Sequence, residues 1–350
     1  MRVAQSHQAQ TAIEFVAPWW LPGGHLQTIW PALWQRHARP GELADISYRR
    51  ERWNTPDGDF IDLDWCDAKI AAHPDTTPLL VLFHGLEGSS RSHYALAFAR
   101  VAQQNGWSYV VPHFRGCSGE LNLAARAYHS GDFEEIGWIL SALRQRTQQP
   151  MMVVGVSLGG NALLRWAQEA GSQARLVASA VASICAPVDL TASGQAMGQG
   201  FNRKVYTRMF LRSMKPKAMQ KLAQHPGLFQ AQALLGARTL YEFDNVFTAP
   251  LHGFKNTEDY WARASAKRHL VDMRLPTLVV NTHNDPFVPR SSLPQASQVD
   301  RKVTLWQPKQ GGHVGFAHGS WPGRIQALPM AVVSWLAQQS GIKLQGNQNG

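Results

Sequence analysis

Gly155-Val156-Ser157-Leu158-Gly159 places a serine between glycines, directly after the apolar run Met151-Met152-Val153-Val154 and before a helical pattern over residues 158–170. A serine hydroxyl is a weak nucleophile at neutral pH; it needs a base, and the base needs an acid to orient it. In a tight strand-to-helix turn, small flanking residues let backbones approach closely and the hydroxyl projects above the sheet beside a helix N-terminus. Further along, Asn281-Thr282-His283-Asn284-Asp285-Pro286 follows one apolar run and supplies Asp285, while Gly311-Gly312-His313-Val314-Gly315 follows the next and supplies His313 in a glycine-lined loop. The expected roles are Ser157 as nucleophile, His313 as base and Asp285 as acid. Asp285, standing before a proline, could also simply start a turn, and Asp189, after the run ending near Cys185, is the rival acid. His113, His283 and His318 fall near the same sheet edge and read as surface or supporting groups. An oxyanion would be met by two backbone amides, that of Leu158 and that of Leu86 in Phe83-His84-Gly85-Leu86-Glu87-Gly88.

Such groups must be held by strands and helices. Apolar runs over residues 60–65, 79–83, 109–111, 151–154, 177–185, 278–280 and 303–306 read as strands. Between them, Asp132 with Glu135 resembles a capping box opening a helix that carries Ile136, Ile139, Leu140 and Leu143, and helical patterns recur over 158–170 and 325–336. Strands alternating with helices predict a mostly parallel central sheet with helices on both faces. On such a sheet the chain order Ser157, Asp285, His313 is the nucleophile, acid, base order of the α/β-hydrolase fold. The core is expected over residues 59–186 and 276–340, with an aromatic segment at 1–58 packing on it, a helical basic lid inserted at 187–275 and a flexible tail at 341–350.

Composition removes other chemistries. The chain has 350 residues, 44% hydrophobic and 17% charged, far from the composition of disordered chains. Its 3 cysteines stand apart without a C-x-x-C pair, so neither a disulfide framework nor a cysteine-rich zinc site is expected. H-E-x-x-H, the phosphate-binding G-x-x-x-x-G-K-[ST] and a G-x-G-x-x-G after a strand are all missing and the 14 histidines are scattered, so no metal and no cofactor are expected. With no apolar run long enough to span a bilayer and no secretory h-region, the expectation is a soluble cytoplasmic protein. The formal net charge is +10, and much of the excess is local. From Thr191 to Tyr241 there is no acid, while Arg203, Lys204, Arg208, Arg212, Lys215, Lys217, Lys221 and Arg238 are basic. With Met209, Phe210, Leu211 and Met214 among the charges, this stretch could meet an anionic membrane or be an ordinary solvated face. No helix-turn-helix, RNP or zinc-finger pattern accompanies it, so nucleic acid is not an expected partner.

Taken together, these residues resemble the YheT-like branch of the α/β-hydrolases, a group of bacterial esterases and eukaryotic α/β-hydrolase-domain lipases. The likeness also rests on Pro18-Trp19-Trp20-Leu21-Pro22-Gly23-Gly24-His25-Leu26-Gln27-Thr28, on Phe114-Arg115-Gly116-Cys117-Ser118-Gly119-Glu120 and on Tyr128-His129-Ser130-Gly131-Asp132, and runs from about residue 15 to 338. Where relatives carry Asp-Asp-Pro-Phe, this chain has Asn284-Asp285-Pro286-Phe287, so the second acid is kept. The resemblance implies a hydrolase of carboxylic esters with Ser157, Asp285 and His313 as its triad, acting on a small-molecule or lipid ester. An acyltransferase would use the same residues with another acceptor, and a non-catalytic scaffold would need none of them. The aromatic segment over 15–35 must be covered, either by packing over the sheet edge or by lining an acyl pocket.

Overall fold

Leu79, Val81 and Phe83 belong to one apolar cluster and Leu80 and Leu82 to another, and all five are buried. Side chains alternate across a strand, so this is the pattern of a strand covered on both faces. The computed structural model describes residues 15–34, 46–66 and 77–344. Its sheet has 8 strands in the order β1-β2-β4-β3-β5-β6-β7-β8. They are β1 (Arg49–Asn54), β2 (Phe60–Cys66), β3 (Leu79–Phe83), β4 (Ser108–Pro112), β5 (Met151–Val156), β6 (Ala180–Ile184), β7 (Thr277–Val280) and β8 (Val303–Trp306). β2 runs antiparallel to both neighbours and every other pairing is parallel.

Besides α1 (Gly23–Trp34), helices cover both faces. α2 (His93–Gln104) and the C-terminal helix Ala327–Gln339 share one cluster with Leu80, Met152 and Val154. α3 (Phe133–Arg146) and α4 (Leu158–Ala170) share the other with Val81, Met151 and Val153. This is the doubly covered, mostly parallel sheet expected from the alternation of patterns. Among the described residues no helix is long and apolar enough to cross a membrane.

Three local readings change. β1, Arg-Arg-Glu-Arg-Trp-Asn, lies inside the stretch set apart as an N-terminal segment, and only Trp53 of it is buried. Its charges pair across the edge, Arg50 with Asp64 at 2.7 Å and Arg52 with Asp62 at 2.8 Å, as suits a guarded sheet edge. The run over 177–185 does not begin as a strand, because Ala174–Val177 closes a short helix first. Asp132 does precede α3, but its side chain makes no capping bond. Asp132 instead accepts from Arg126 at 2.7 Å and Glu135 from Arg115 at 2.5 Å, so charge pairing takes both members of the expected capping box.

Residues 187–275 contain helices and no strand, among them Leu190–Met197, Arg208–Gln224 and Thr257–Ala264. They carry their own apolar clusters, one around Leu211, Leu234, Phe243 and Phe247, the other around Leu190, Tyr260 and Trp261. The basic run is not one solvated face. Lys217 reaches inward to Glu87 at 2.9 Å, and Lys221 is buried with its ammonium on the carbonyls of Asn122 and Ala124 at 2.5 and 2.8 Å. Leu211 and Met214 pack in the insertion's own core, whereas Met209 stays exposed. The tail beyond residue 344 lies outside the described residues.

Arg115, in the loop after β4, is buried between Asp57 at 2.7 Å, Asp59 at 2.9 Å and Glu135 at 2.5 Å. Removing one member of a buried ionic group strands the others without counter-charge. Arg115→Ala is therefore expected to lower unfolding free energy by about 3–5 kcal/mol, read by denaturant titration; a loss under about 1 kcal/mol would refute this.

Candidate active site

β5 ends at Val156 and α4 begins at Leu158, leaving Ser157 alone at the turn with φ 52° and ψ −118°. A side chain other than glycine avoids that region. Its amide donates to the Ile184 carbonyl at 2.8 Å, tying the turn to β6. The flanking glycine is a clearance: a Cβ at Gly159 would lie 2.4 Å from the His84 carbonyl oxygen and 2.6 Å from that of Phe83. Helix α4 can therefore start hard against the end of β3 only with glycine there.

The structure brings Ser157, His313 and Asp285 together. Ser157 Oγ lies 3.0 Å from His313 Nε2, and His313 Nδ1 lies 2.8 Å from Asp285 Oδ2. With Nδ1–H donating to the carboxylate, Nε2 is left to accept from the serine hydroxyl. Asp285 Oδ1 accepts from the amides of Phe287 at 2.7 Å and Val288 at 3.3 Å, so the carboxylate both shapes the turn after Pro286 and faces the histidine. Asp189 is not brought to His313. It caps the helix Leu190–Met197, accepting from Ala192 N at 3.1 Å, with Lys267 Nζ at 3.9 Å.

The amides of Leu86 and Leu158 have no hydrogen-bond partner among the described residues, and both residues line the cavity that Ser157 and His313 also line. Backbone N–H groups left free beside a hydroxyl can receive a negative oxygen. The loop carrying Leu86 is held by side chains to which the sequence assigned no role. His84 is fully buried; its Nδ1–H donates to the Gly85 carbonyl at 2.8 Å, while Nε2 accepts from Phe114 N at 3.1 Å. Burial and the nearby His113 push its pKa down to about 3, so it stays neutral and can fill both roles. Gly85 N donates to Tyr94 Oη at 2.9 Å, and Glu87 N donates to Tyr128 Oη at 3.0 Å.

Helix α1 holds the other two loops. Gln27 Oε1 accepts from Gly311 N and from Asn284 Nδ2, both at 2.8 Å, and Thr28 Oγ1 accepts from His313 N at 2.9 Å. Asn284 Oδ1 in turn accepts from Gly312 N at 3.0 Å, which gives the residue replacing the relatives' first acid a bridging role. A Cβ at Gly315 would fall 1.8 Å from the Gln27 carbonyl oxygen, so helix and loop touch backbone to backbone. The aromatic segment thus braces the loops that carry Asp285 and His313, and none of its described residues lines the cavity beside Ser157. Of the other histidines, His113 is buried with Nε2 2.8 Å from Asp64, His318 pairs by backbone with Arg324, and the His283 amide donates to Pro308 O at 2.9 Å.

The cavity beside Ser157 has a volume of about 170 Å³ and is roofed by the insertion, with Met197, Phe210, Met214, Phe243 and Phe247 giving it an apolar wall. Among the described residues, Cys185, Asp285 and His313 form the one group of metal-type donors within 4.8 Å of one another. Asp285 and His313 spend those donors on each other. Burial, with the Asp285 charge beside it, pushes the Cys185 thiol up.

Residues 78–319 match the family described as alpha/beta hydrolase fold. The Escherichia coli protein YheT, named as a candidate esterase, is 36% identical over 334 residues, covering 95% of each chain. Mouse phospholipase ABHD3 is 28% identical over 313 residues, covering 85% of this chain and 75% of its own. Among solved structures, a bacterial membrane phospholipase A superposes with a TM-score of 0.55 at 15% identity, over 88% of this chain and 92% of its own, a likeness of fold.

If Asp285 orients His313, Asp285→Asn should slow labelling of Ser157 by a fluorophosphonate probe ~10²- to 10⁴-fold, while Asp189→Asn changes it less than about threefold. Greater damage at Asp189 would move the acid to the other loop.

Proposed function

The chain belongs to the α/β-hydrolase family, and on that footing we propose that it is a serine hydrolase cleaving carboxylic esters, lipid-like or short-chain, through an acyl-enzyme. The reading rests on one observation, the continuous contact from Ser157 Oγ through His313 to Asp285 at 3.0 and 2.8 Å. Ser157 Oγ attacks the acyl carbonyl as His313 Nε2 takes its proton, and Asp285 stabilises the resulting imidazolium. The carbonyl oxygen becomes an oxyanion between the Leu86 and Leu158 amides. As the intermediate collapses, the leaving alcohol takes the proton from Nε2. A water, deprotonated by the same nitrogen, then attacks the acyl-enzyme and Ser157 is restored. The apolar wall beside Ser157 suits a hydrocarbon acyl group, and the esterase and phospholipase names of the relatives fit such substrates.

An anionic lipid surface fits as the place where such a substrate is met. His25 of α1 packs on Phe201 of the insertion at 4.5 Å, and in these two segments Leu26, Phe201, Val205 and Met209 are exposed. Arg203, Lys204, Arg208 and Arg212 stand exposed in the same stretch of the insertion. Exposed apolar side chains interleaved along the sequence with exposed cations are what an anionic bilayer attracts.

Ser157→Ala is expected to abolish fluorophosphonate labelling and to lower kcat on p-nitrophenyl esters by ~10³-fold or more with the fold intact by circular dichroism; most activity surviving would overturn the reading. In vesicle co-sedimentation the protein should prefer anionic over neutral vesicles. Reversing Arg203, Lys204, Arg208 and Arg212 to Glu should remove that preference, since each basic residue near such a surface contributes about 1 kcal/mol. Equal binding to both kinds of vesicle would sink the lipid-surface reading.

A further inference from the structure

Asp244 lines the same cavity as Ser157, at the start of the π-helical turn Asp244–Thr248 in the insertion. Turns of this kind are rare and occur disproportionately at functional sites. Its Oδ1 accepts from Thr248 Oγ1 at 2.6 Å and its Oδ2 from Trp261 Nε1 at 2.9 Å, both neutral donors. A carboxylate offers about four acceptor positions, so these bonds leave it half used. No ion pair compensates it among the described residues, and every cation lining the cavity is committed elsewhere. Arg115 is held by Asp57, Asp59 and Glu135, and Lys217 by Glu87. Lys221 spends its three N–H donors on Asn122 O, Ala124 O and Gln224 Oε1. His129, pushed down to about 4 by burial, is neutral.

A charge in this position costs stability, and the local structure does not need it. An asparagine could accept from the indole with its oxygen and donate to the threonine with its nitrogen. Burial pushes the Asp244 carboxyl up to about 6, which still leaves it ionised above neutral pH. Phe243, Phe247, Tyr260 and Trp261 line the cavity with it. Aromatic rings beside a carboxylate favour an organic cation over a neutral alcohol, because ring faces and carboxylate both attract positive charge.

We propose that Asp244 determines specificity by binding an ammonium-type cationic group carried by the ester whose acyl carbon reaches Ser157. The inference rests on the serine-hydrolase reading for the word ester, while the cation site itself can be read without turnover. The test is isothermal titration at pH 8 of the wild-type chain with n-hexylammonium and, separately, with n-hexanol, probes of like length that differ in charge. The amine should bind at least ten-fold more tightly than the alcohol, and Asp244→Asn should shrink that ratio to below about three-fold. Equal binding of the two probes to the wild type would overturn the proposal without any variant being made. An amine preference that survives in folded Asp244→Asn would overturn it as well, placing the cation elsewhere. Failure of Ser157 to react with a fluorophosphonate would instead sink the hydrolase reading and leave these titrations interpretable.

Discussion

Ser157 is held in a backbone conformation that costs about 1–3 kcal/mol for a residue with a side chain, and the surrounding structure is arranged to impose it. Its amide is tied to β6 through Ile184, and helix α4 springs from the next residue. The glycine at 159 lets that helix press on the carbonyls ending β3. One consequence is geometric. The ends of β3 and β5 meet side by side, which brings Leu158 and the loop bearing Leu86 to the same cavity as the hydroxyl. Neutral His84 then locks the β3 loop from within, which a protonated imidazole could not do because Nε2 must accept from Phe114.

The parts of this site that could be read from the sequence are those whose cause is local. The elbow around Ser157 declares itself by glycines next to an apolar run, and His313 by a loop that tolerates close approach. The choice between Asp285 and Asp189 could not be local, since both follow a strand. The chain carries the loop after β7 opposite the β8 loop, so that Asp285 faces His313, while Asp189 is spent on a helix cap. β1 escaped notice because an edge strand with paired arginines has no apolar alternation to display. Asp132 and Glu135 misled in the opposite way: their spacing is that of a cap, but burial beside Arg126 and Arg115 makes ion pairing the stronger demand. Gln27 and Thr28 were illegible because their partners are loops far along the chain.

Charge is handled in two ways in this molecule. Behind the site, Arg115 gathers three carboxylates and is saturated by them. Above it, the insertion turns two lysines inward, one onto Glu87 in the loop after β3 and one onto backbone carbonyls that precede the Tyr128 segment. The insertion is thereby fastened to the loop that bears Leu86, which makes the roof of the cavity and one of its amides parts of the same construction.

The bracing of two loops by α1 has a consequence in time. The hydrogen bonds that the Gly311 and His313 amides donate to the Gln27 and Thr28 side chains span 284 and 285 residues. Contacts of such separation form late, because the entropy of closing the loop must be met before they are rewarded. α1 precedes these partners along the chain and must wait for them during synthesis. The central strands can pair meanwhile, with their apolar faces covered by α2, α3 and α4. The sheet and the turn that holds Ser157 can therefore form before α1 anchors the His313 loop, so the contact between Ser157 and His313 is completed by a late docking event.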